Sequence, residues 1–195
     1  MTQTQISEES CKFSKWKKEE KTVAISEIHH VALAVSNMER SIAFYRDILG
    51  FRKTLDMPLG SPSLDRLLRL RPGTTGRSVI LQQGLSTIGE VELVQFSPAP
   101  TTPTPAKGAG GLGAFLLSFA VRDEELAAVY QRLLEKGIAC YSEPQVLELP
   151  GYGATRAVVF EDPDGQMIEL IQLPSADEIQ RVRAASRAER QQPTA

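Results

Sequence analysis

The repeated stretch VELVQF at residues 91–96 and IELIQL at residues 168–173 decides how the rest of this chain is interpreted. A second pair precedes these copies, since HVALAV at residues 30–35 corresponds to LLSFAV at residues 116–121. In each half, a helix-like segment and further strand-like runs lie between the two members. Repetition of the same elements in the same order predicts two modules of one βαβββ design. We therefore predict an α+β fold in which the tandem modules form one curved, cupped, eight-stranded mixed sheet.

Changes in composition predict the boundaries of these modules. Alternating prolines followed by glycines remove sheet donors and raise the entropic cost of ordering, so they predict a linker between the halves. The N-terminal residues are polar and weakly patterned, which is typical of a tail. The predicted order is a polar tail (1–24), the first module (25–97), the linker (98–113), the second module (114–174) and a C-terminal helical tail (175–195).

Local patterns predict where particular elements begin. Ser36 and Glu39 have the spacing of a capping box, in which the serine hydroxyl accepts a hydrogen bond from the Glu39 amide. Ser175 and Glu178 have the same spacing and predict the start of the C-terminal helix. The apolar run at residues 138–141 predicts the second strand of the second module.

The composition is that of an ordinary soluble globular protein. The chain of 195 residues is 42% hydrophobic and 24% charged, with a formal net charge of −2. Nucleic-acid binding needs a basic surface, and a membrane span needs about 20 apolar residues in a row, so we expect neither kind of partner. The two cysteines predict no disulfide framework and the N-terminus lacks a secretory signal, so we expect a cytoplasmic protein.

Strand alternation separates the two histidines of the chain, His29 and His30. In residues 30–35 the larger apolar side chains lie on one face, and we expect this face to contact the helix. His30, Ala32 and Ala34 then lie on the opposite, concave face, where small side chains leave room for a ligand. His29 is predicted to lie with the core residues or at the edge of the strand.

A glutamate stands inside each of the two repeated apolar strands. A carboxylate in such a strand is costly to bury unless it is paired or bound to a cation. One such residue is explained equally well by solvent exposure, but Glu92 and Glu169 occupy matched positions in the two copies. Together with His30 they favour a site for a hard divalent cation. The alternative is a core histidine, with the glutamates paired to arginines such as Arg77 or Arg156.

Three stretches carry a resemblance to a known family: EIHHVALAVSNMERSIAFYRDILGF, VELVQF and EDPDGQMIELIQL. Over residues 26–173 they resemble the vicinal oxygen chelate superfamily, which includes glyoxalase I, methylmalonyl-CoA epimerase, extradiol dioxygenases, fosfomycin-resistance enzymes and bleomycin-binding proteins. The resemblance implies paired βαβββ modules that hold a metal through up to four side chains. It selects no single reaction, because the superfamily includes many.

Matched to the motifs of that family, the four ligand positions are His30, Glu92, Leu116 and Glu169. Leu116 stands where a second histidine is expected, and an aliphatic side chain cannot coordinate a metal. The resemblance therefore implies a divalent ion held by His30, Glu92 and Glu169, with Mn²⁺, Fe²⁺, Ni²⁺, Co²⁺ and Zn²⁺ as candidates. The expected lining of the substrate cavity is Ala32, Leu116 and Ser118.

These residues predict a metal-dependent enzyme of the isomerase, epimerase or lyase type. It would chelate an oxygenated carbonyl substrate, stabilise an enolate or enediolate, and use Glu92 or Glu169 to move the proton. The alternative is a metal-free protein that binds a small molecule or antibiotic, because Leu116 replaces a ligand. A dioxygenase is a further alternative, for which His29 would have to turn inward. In each case the partner is a small molecule, and the resemblance implies a homodimer.

Overall fold

The computed structural model describes residues 27–98 and 113–191 of the chain. The first module contains β1 (His30–Ala34), α1 (Met38–Asp47), β2 (Arg52–Leu59), α2 (Pro62–Leu68), β3 (Thr75–Gln82) and β4 (Glu90–Ser97). The second contains β5 (Leu116–Ala120), α3 (Leu126–Glu135), β6 (Gln145–Leu149), β7 (Gly153–Glu161) and β8 (Met167–Gln172), followed by α4 (Ala176–Gln191). The predicted polar tail lies outside the described residues, as does the predicted linker except for its first and last positions.

Each module forms a four-stranded mixed sheet. The strand order is β1-β4-β3-β2 in the first and β5-β8-β7-β6 in the second. In each sheet the first strand pairs in parallel with the last, and the other neighbours are antiparallel. The predicted α+β class and the two βαβββ modules are confirmed, with α2 added between β2 and β3. The eight strands are divided between two hydrogen-bonded sheets, four in each.

One hydrophobic core joins the modules. Alternate residues of the two repeated strands point into it, among them Leu93 of β4 and Ile168 of β8, which are both fully buried. Aromatic rings meet across the module boundary, where the ring centroids of Phe51 and Phe119 lie 5.5 Å apart in an edge-to-face contact. Burial of each such large apolar side chain stabilises the fold by roughly 1.5–3 kcal/mol. The opposite faces of the strands remain available for a functional site.

A polar contact also joins the modules. Asp164, in the turn between β7 and β8, accepts hydrogen bonds from the Ser36 amide at 3.1 Å and from the Arg40 guanidinium at 3.0 Å. Beside it, the buried hydroxyl of Tyr45 donates to Asp162 at 3.0 Å. Burial raises the pKa of the Asp162 carboxyl, and burial together with the nearby carboxylate raises the pKa of Tyr45. The turn of the second module therefore fixes α1 of the first.

The predicted capping box at the start of α1 is wrong. The Ser36 hydroxyl donates to Asp164 at 2.5 Å and is therefore committed to the contact between modules. Asn37 is the N-cap instead, and its side-chain oxygen accepts from the Arg40 amide at 3.0 Å. The spacing of Ser36 and Glu39 could not reveal this, because the competing carboxylate comes from the other module.

The repeated strands also orient the helices, through their glutamines. The Gln95 side-chain oxygen accepts a hydrogen bond from the Met38 amide at 3.2 Å. In the second module, the Gln172 oxygen accepts from the Leu126 amide at 3.0 Å. Both amides belong to a first helical turn, where backbone N–H groups have no partner within the helix. Each repeated strand thus satisfies and positions the start of the helix in its own module.

The second module departs from prediction at its second strand. Residues 138–141 do not form one, because only Cys140 makes a bridge, to Phe160, and bends follow at once. The strand that pairs with β7 is β6, which begins after Pro144. Proline has no N–H to donate to a ladder, so it separates the lone bridge from the strand that pairs.

The C-terminal helix α4 begins as predicted. The Ser175 hydroxyl accepts from the Glu178 amide at 3.3 Å, and the Glu178 carboxylate accepts from the Ser175 amide at 2.8 Å, which confirms the capping box. These bonds to Ser175 lower the pKa of Glu178. None of the helices in the described part of the chain is long and apolar enough to cross a membrane.

Candidate functional site

The candidate site residues lie on the strand faces opposite the core, which we call the open face. In the first module, His30 and Ala32 of β1 are exposed there, and the register places Ala32 beside Glu92 of β4. In the second module, the register places Ser118 of β5 beside Glu169 of β8. The core-facing neighbours of both glutamates are buried. Both glutamates therefore face away from the core, a choice that strand alternation alone left open.

Glu92 is held between two neighbours. The Ser78 hydroxyl, on β3, donates to Glu92 Oε1 at 2.6 Å. On the other side, His30 Nε2 lies 3.3 Å from Glu92 Oε2. The Glu92 side chain is 18% exposed, whereas that of His30 is 41% exposed, so the imidazole is the more accessible member of the pair. The two oxygens of this carboxylate thus have separate partners from two strands.

His29 lies at the edge of the strand, not in the core. Its side chain is exposed, and its Nδ1 lies 2.9 Å from Nδ1 of His30. The two rings meet edge to face, with centroids 5.2 Å apart and an interplanar angle of 85°. Strand alternation separates their backbone positions but leaves their side chains in contact, which the sequence interpretation missed.

Glu169 has a simpler environment than Glu92. The Ser118 hydroxyl, from the neighbouring strand β5, donates a short hydrogen bond to Glu169 Oε2. Leu116 is half-buried, and the register pairs it with Met167. The position that His30 occupies in the first module is therefore apolar in the second. The sequence predicted Ser118 only as a residue that lines the cavity, whereas the structure also shows it as the hydrogen-bond donor to Glu169.

The donor atoms of two of the three predicted ligands contact each other directly, at a spacing close to that of two ligands of one divalent cation. Two donor atoms bound tetrahedrally to one ion at about 2.1 Å lie about 3.4 Å apart. The separation of His30 Nε2 and Glu92 Oε2, 3.3 Å, is close to this value. Within residues 27–98 and 113–191, no group of three or more His, Cys, Asp or Glu side chains is arranged to hold a metal. The structure thus brings His30 and Glu92 together and leaves Glu169 with Ser118.

Arg77 does not neutralise Glu92, as the alternative of a purely structural role would require. Its guanidinium donates two hydrogen bonds to Asp56, both at 2.8 Å, and a third to Glu39 at 2.5 Å. These hydrogen bonds lower the pKa of the Asp56 carboxyl. The register places Arg77 opposite Gln95, on the face turned away from Glu92. The alternative in which Arg77 pairs with Glu92 is therefore wrong.

A polar pair that the sequence did not single out also lies on the open face of the second module. The Tyr141 hydroxyl donates a short hydrogen bond to Glu161 at the end of β7, which raises the pKa of Tyr141. Glu161 pairs with Met167, two positions along the ladder from the pair of Val159 and Glu169. The sequence shows Glu161 at the end of an apolar run, but its tyrosine partner comes from a loop and could not be identified there.

Comparison with known proteins agrees with this architecture. Residues 27–170 match the Glyoxalase/Bleomycin resistance protein/Dioxygenase superfamily. A curated relative, a 2-epi-5-epi-valiolone epimerase from Actinomyces sp, is 27% identical over 150 residues, which are 76% of this chain and 80% of the relative. A crystal structure of a glyoxalase family protein from Enterococcus faecalis is 26% identical with a TM-score of 0.53, covering 74% of this chain and 96% of that one.

A further crystal structure, of a glyoxalase family protein from Bacillus cereus, has the same fold with little sequence similarity. Its TM-score is 0.62 at 16% identity, over 82% of this chain and 99% of that one. The family match covers the first module and most of the second, and it ends at residue 170 within β8. The chain therefore belongs to the glyoxalase/bleomycin resistance protein/dioxygenase superfamily.

Proposed function

We propose that this protein is an isomerase or epimerase that moves a proton next to the carbonyl group of a small oxygenated substrate. The observation that carries the proposal is the pair of matched glutamates on the open face, which have different partners. Glu92 contacts His30 and Ser78, whereas Glu169 is hydrogen-bonded to Ser118. The relative named as an epimerase supports the same class of reaction.

Glu169 is the base in this proposal. Its carboxylate has a hydroxyl partner at one oxygen, so a substrate can approach the other without displacing an ion pair. The carboxylate takes a proton from the carbon next to the carbonyl, which leaves an enolate, and the proton is then returned to a carbon of that enolate. General acid–base catalysis of this kind contributes about 10²–10⁴-fold to the rate.

His30 and Glu92 are the proposed holders of a divalent cation, because their donor atoms have the spacing of two ligands of one ion. When bound, such a cation supplies Lewis-acid polarisation of the substrate carbonyl oxygen. Ser78 occupies the other Glu92 oxygen and so keeps Oε2 directed at His30. With only two protein ligands, several coordination positions are left for water and for the substrate's two oxygens.

A metal-free binding protein is the second candidate, and Leu116 favours it. This leucine puts an apolar side chain where the first module has an imidazole, so the second module offers a small molecule an apolar surface beside Glu169. Such a protein would retain its ligand unchanged. The two functions therefore differ in one observable, the exchange of a substrate proton with solvent.

The test is deuterium uptake in D₂O, followed by proton NMR. The purified protein is incubated with Mn²⁺ or Zn²⁺ and a panel of hydroxyketones that begins with 2-epi-5-epi-valiolone, the compound in the relative's name. We expect the proton next to the carbonyl to exchange in the presence of wild-type protein. The Glu169→Gln variant should exchange it about 10²–10⁴-fold more slowly, because an amide cannot accept the proton.

The matched control is Glu148→Gln, which removes an exposed carboxylate from β6 and should leave the exchange rate unchanged. Tight binding of a panel member without any deuterium uptake, with or without metal, would contradict the isomerase proposal and support the binding protein. An unchanged exchange rate in Glu169→Gln would contradict the role of this glutamate alone.

A further inference from the structure

The lone bridge of the second module places Tyr141 on the open face. Cys140 bridges to Phe160, and the Tyr141 amide donates a hydrogen bond to the Val159 carbonyl at 2.9 Å. Phe160 is fully buried and Cys140 packs against the core, so alternation directs the next residue, Tyr141, to the opposite face. Tyr141 is 57% exposed there and is held by its backbone, although it lies outside the paired strand β6.

Four open-face positions form a row across the second sheet. The bridge sets Tyr141 opposite Val159 of β7. Val159 pairs with Glu169 of β8, and Glu169 pairs with Ser118 of β5. Neighbouring strands lie about 4.7–4.9 Å apart, so the backbones of Tyr141 and Glu169 are roughly 9–10 Å apart on either side of Val159. A small ring or a short carbon chain fits over this half-buried valine, between the two polar side chains.

Glu161 completes the side of the row away from Glu169. It lies two residues from Val159 on the same face of β7, and Glu169 is its diagonal neighbour, a relation that places two residues about 7–8 Å apart. The Tyr141 hydroxyl donates a short hydrogen bond to Glu161 Oε1. Within residues 27–98 and 113–191, no donor is hydrogen-bonded to Glu161 Oε2. Because the Tyr141 proton is used, the pair offers a ligand only acceptors, at Oε2 and at the phenol oxygen.

Acceptors in this arrangement favour hydroxyl groups over other substituents. One hydroxyl can donate to Glu161 Oε2, and a neighbouring hydroxyl can donate to the Tyr141 oxygen. A phosphate or carboxylate would approach two carboxylates, Glu161 and Glu169, and would be repelled. An alkyl group would displace water from Glu161 without replacing its hydrogen bonds, which is costly.

We propose that Tyr141 and Glu161 are specificity-determining residues that bind hydroxyl groups on the part of the substrate away from the reacting carbon. Glu161 contacts the substrate, and Tyr141 both holds Glu161 and accepts a second hydroxyl. The substrate class is then an uncharged ketone with several hydroxyl groups, on a small ring or a short chain. This inference rests on the proposed function, in which Glu169 moves the proton, and it requires no metal ion.

Two ring ketones separate hydroxyl recognition from the reaction. 2-Hydroxycyclohexanone carries a hydroxyl only beside its carbonyl, whereas pentahydroxycyclohexanone also carries hydroxyls on the far side of the ring. Calorimetric titration of the full-length protein without metal measures the Kd of each, and deuterium uptake under the conditions of the Glu169 test measures kcat/KM. Wild type should favour the pentahydroxy compound by roughly 10–100-fold in both quantities, the effect of a hydrogen bond to a charged group.

Two variants remove the proposed contacts. Glu161→Leu has a side chain of similar size without acceptors and should abolish most of this preference. Tyr141→Phe should reduce the preference roughly tenfold, because Glu161 loses the hydroxyl that holds it. Neither change should alter the Kd or kcat for 2-hydroxycyclohexanone, whereas a merely structural role would affect both ketones alike. Glu148→Leu and Tyr152→Phe alter an exposed glutamate and tyrosine elsewhere in the module and should leave the preference unchanged.

The outcomes separate this inference from the proposed function. Equal Kd values for the two ketones in wild type, or an unchanged preference in Glu161→Leu, would overturn the inference and leave proton transfer by Glu169 intact. A preference that is lost in Glu161→Leu, without deuterium uptake in wild type, would support the hydroxyl site and contradict the proposed isomerase. Loss of uptake from both ketones in Glu161→Leu would place Glu161 in the proton transfer and overturn its role in specificity.

Discussion

Glu92 and Glu169 occupy the same position in the two modules, yet their neighbours differ on every side. Each is paired in the ladder with the third residue of the first strand, which is Ala32 beside Glu92 and Ser118 beside Glu169. The serine partner of Glu92 comes instead from the opposite side, from Ser78 on β3. The two carboxylates share a backbone position, but the serine that donates to Glu92 lies on the antiparallel neighbour β3, and the one that donates to Glu169 lies on the parallel neighbour β5.

The histidine position differs in the same way. His30 lies against Glu92, while Leu116, at the matching place in the second module, contributes no polar atom. Two copies of one strand therefore hold one carboxylate that is committed to an imidazole and one that is not. The repeated fold therefore gives the two glutamates equivalent backbone positions, and the different residues around each of them give the two carboxylates different chemical roles. This difference can be tested by exchanging or removing the partners of each glutamate.

The largest expected difference is in zinc affinity between two matched variants. Glu92→Gln should weaken zinc binding by at least 100-fold or so, because it removes a proposed ligand, and loss of even a second-shell partner costs about 10–100-fold. Glu169→Gln should change the affinity by less than about threefold. Calorimetric titration of both variants beside wild type measures this. Equal losses in the two variants would show that both glutamates hold the ion, and the division between them would be wrong.

The same comparison can be reversed by moving the histidine. Adding Leu116→His to Glu92→Gln places an imidazole at the matching position beside Glu169, so zinc binding should return to within about tenfold of wild type. A control that adds Leu117→His instead places the imidazole on the core side of β5 and should not restore binding. If neither double variant binds zinc more tightly than Glu92→Gln alone, a histidine at the matching strand position is not sufficient to recreate the site.

The two serines should give smaller and opposite effects. Ser78→Ala should weaken zinc binding roughly tenfold, because Glu92 loses the donor that directs its other oxygen to His30. Ser118→Ala should leave zinc affinity unchanged and lower kcat for proton exchange roughly tenfold, because Glu169 loses its orientation toward the substrate. Threonine at either position keeps the hydroxyl and should restore the lost property. If Ser78→Ala reduced kcat and Ser118→Ala reduced zinc affinity, the assignments would be reversed.

Much of this architecture could be predicted from the sequence, because its signals are local and periodic. Alternation along β1 is a property of neighbouring residues, so it correctly placed His30 on the face opposite the core. Along β4 it separated Glu92 from Val91 and Leu93 without deciding which face is buried. The repeat identified Glu169 as the counterpart of Glu92. What these signals specify is the face and position of a residue along its own strand.

The partners of these residues could not be predicted, because they depend on how distant segments meet. Ser78 reaches Glu92 only through the register of β3 on β4, which loop geometry and core packing set together. The capping prediction for Ser36 failed because Asp164 approaches from the other module. The contact of His29 with His30 depends on side-chain rotamers, which strand alternation does not determine.

The smallest expected effect concerns the part of the repeat that has stayed the same. Gln95→Met and Gln172→Met keep the size of each side chain but leave a helix-start amide without its acceptor, so each should destabilise the protein by about 1 kcal/mol. Thermal unfolding should show a similar fall in Tm, about 2–4 °C, in both variants. Gln131→Met, on the exposed surface of α3, is the control and should leave Tm unchanged. A fall in Tm in only one of the two glutamine variants would mean that the repeated strands differ in how they support the fold as well as in their chemistry.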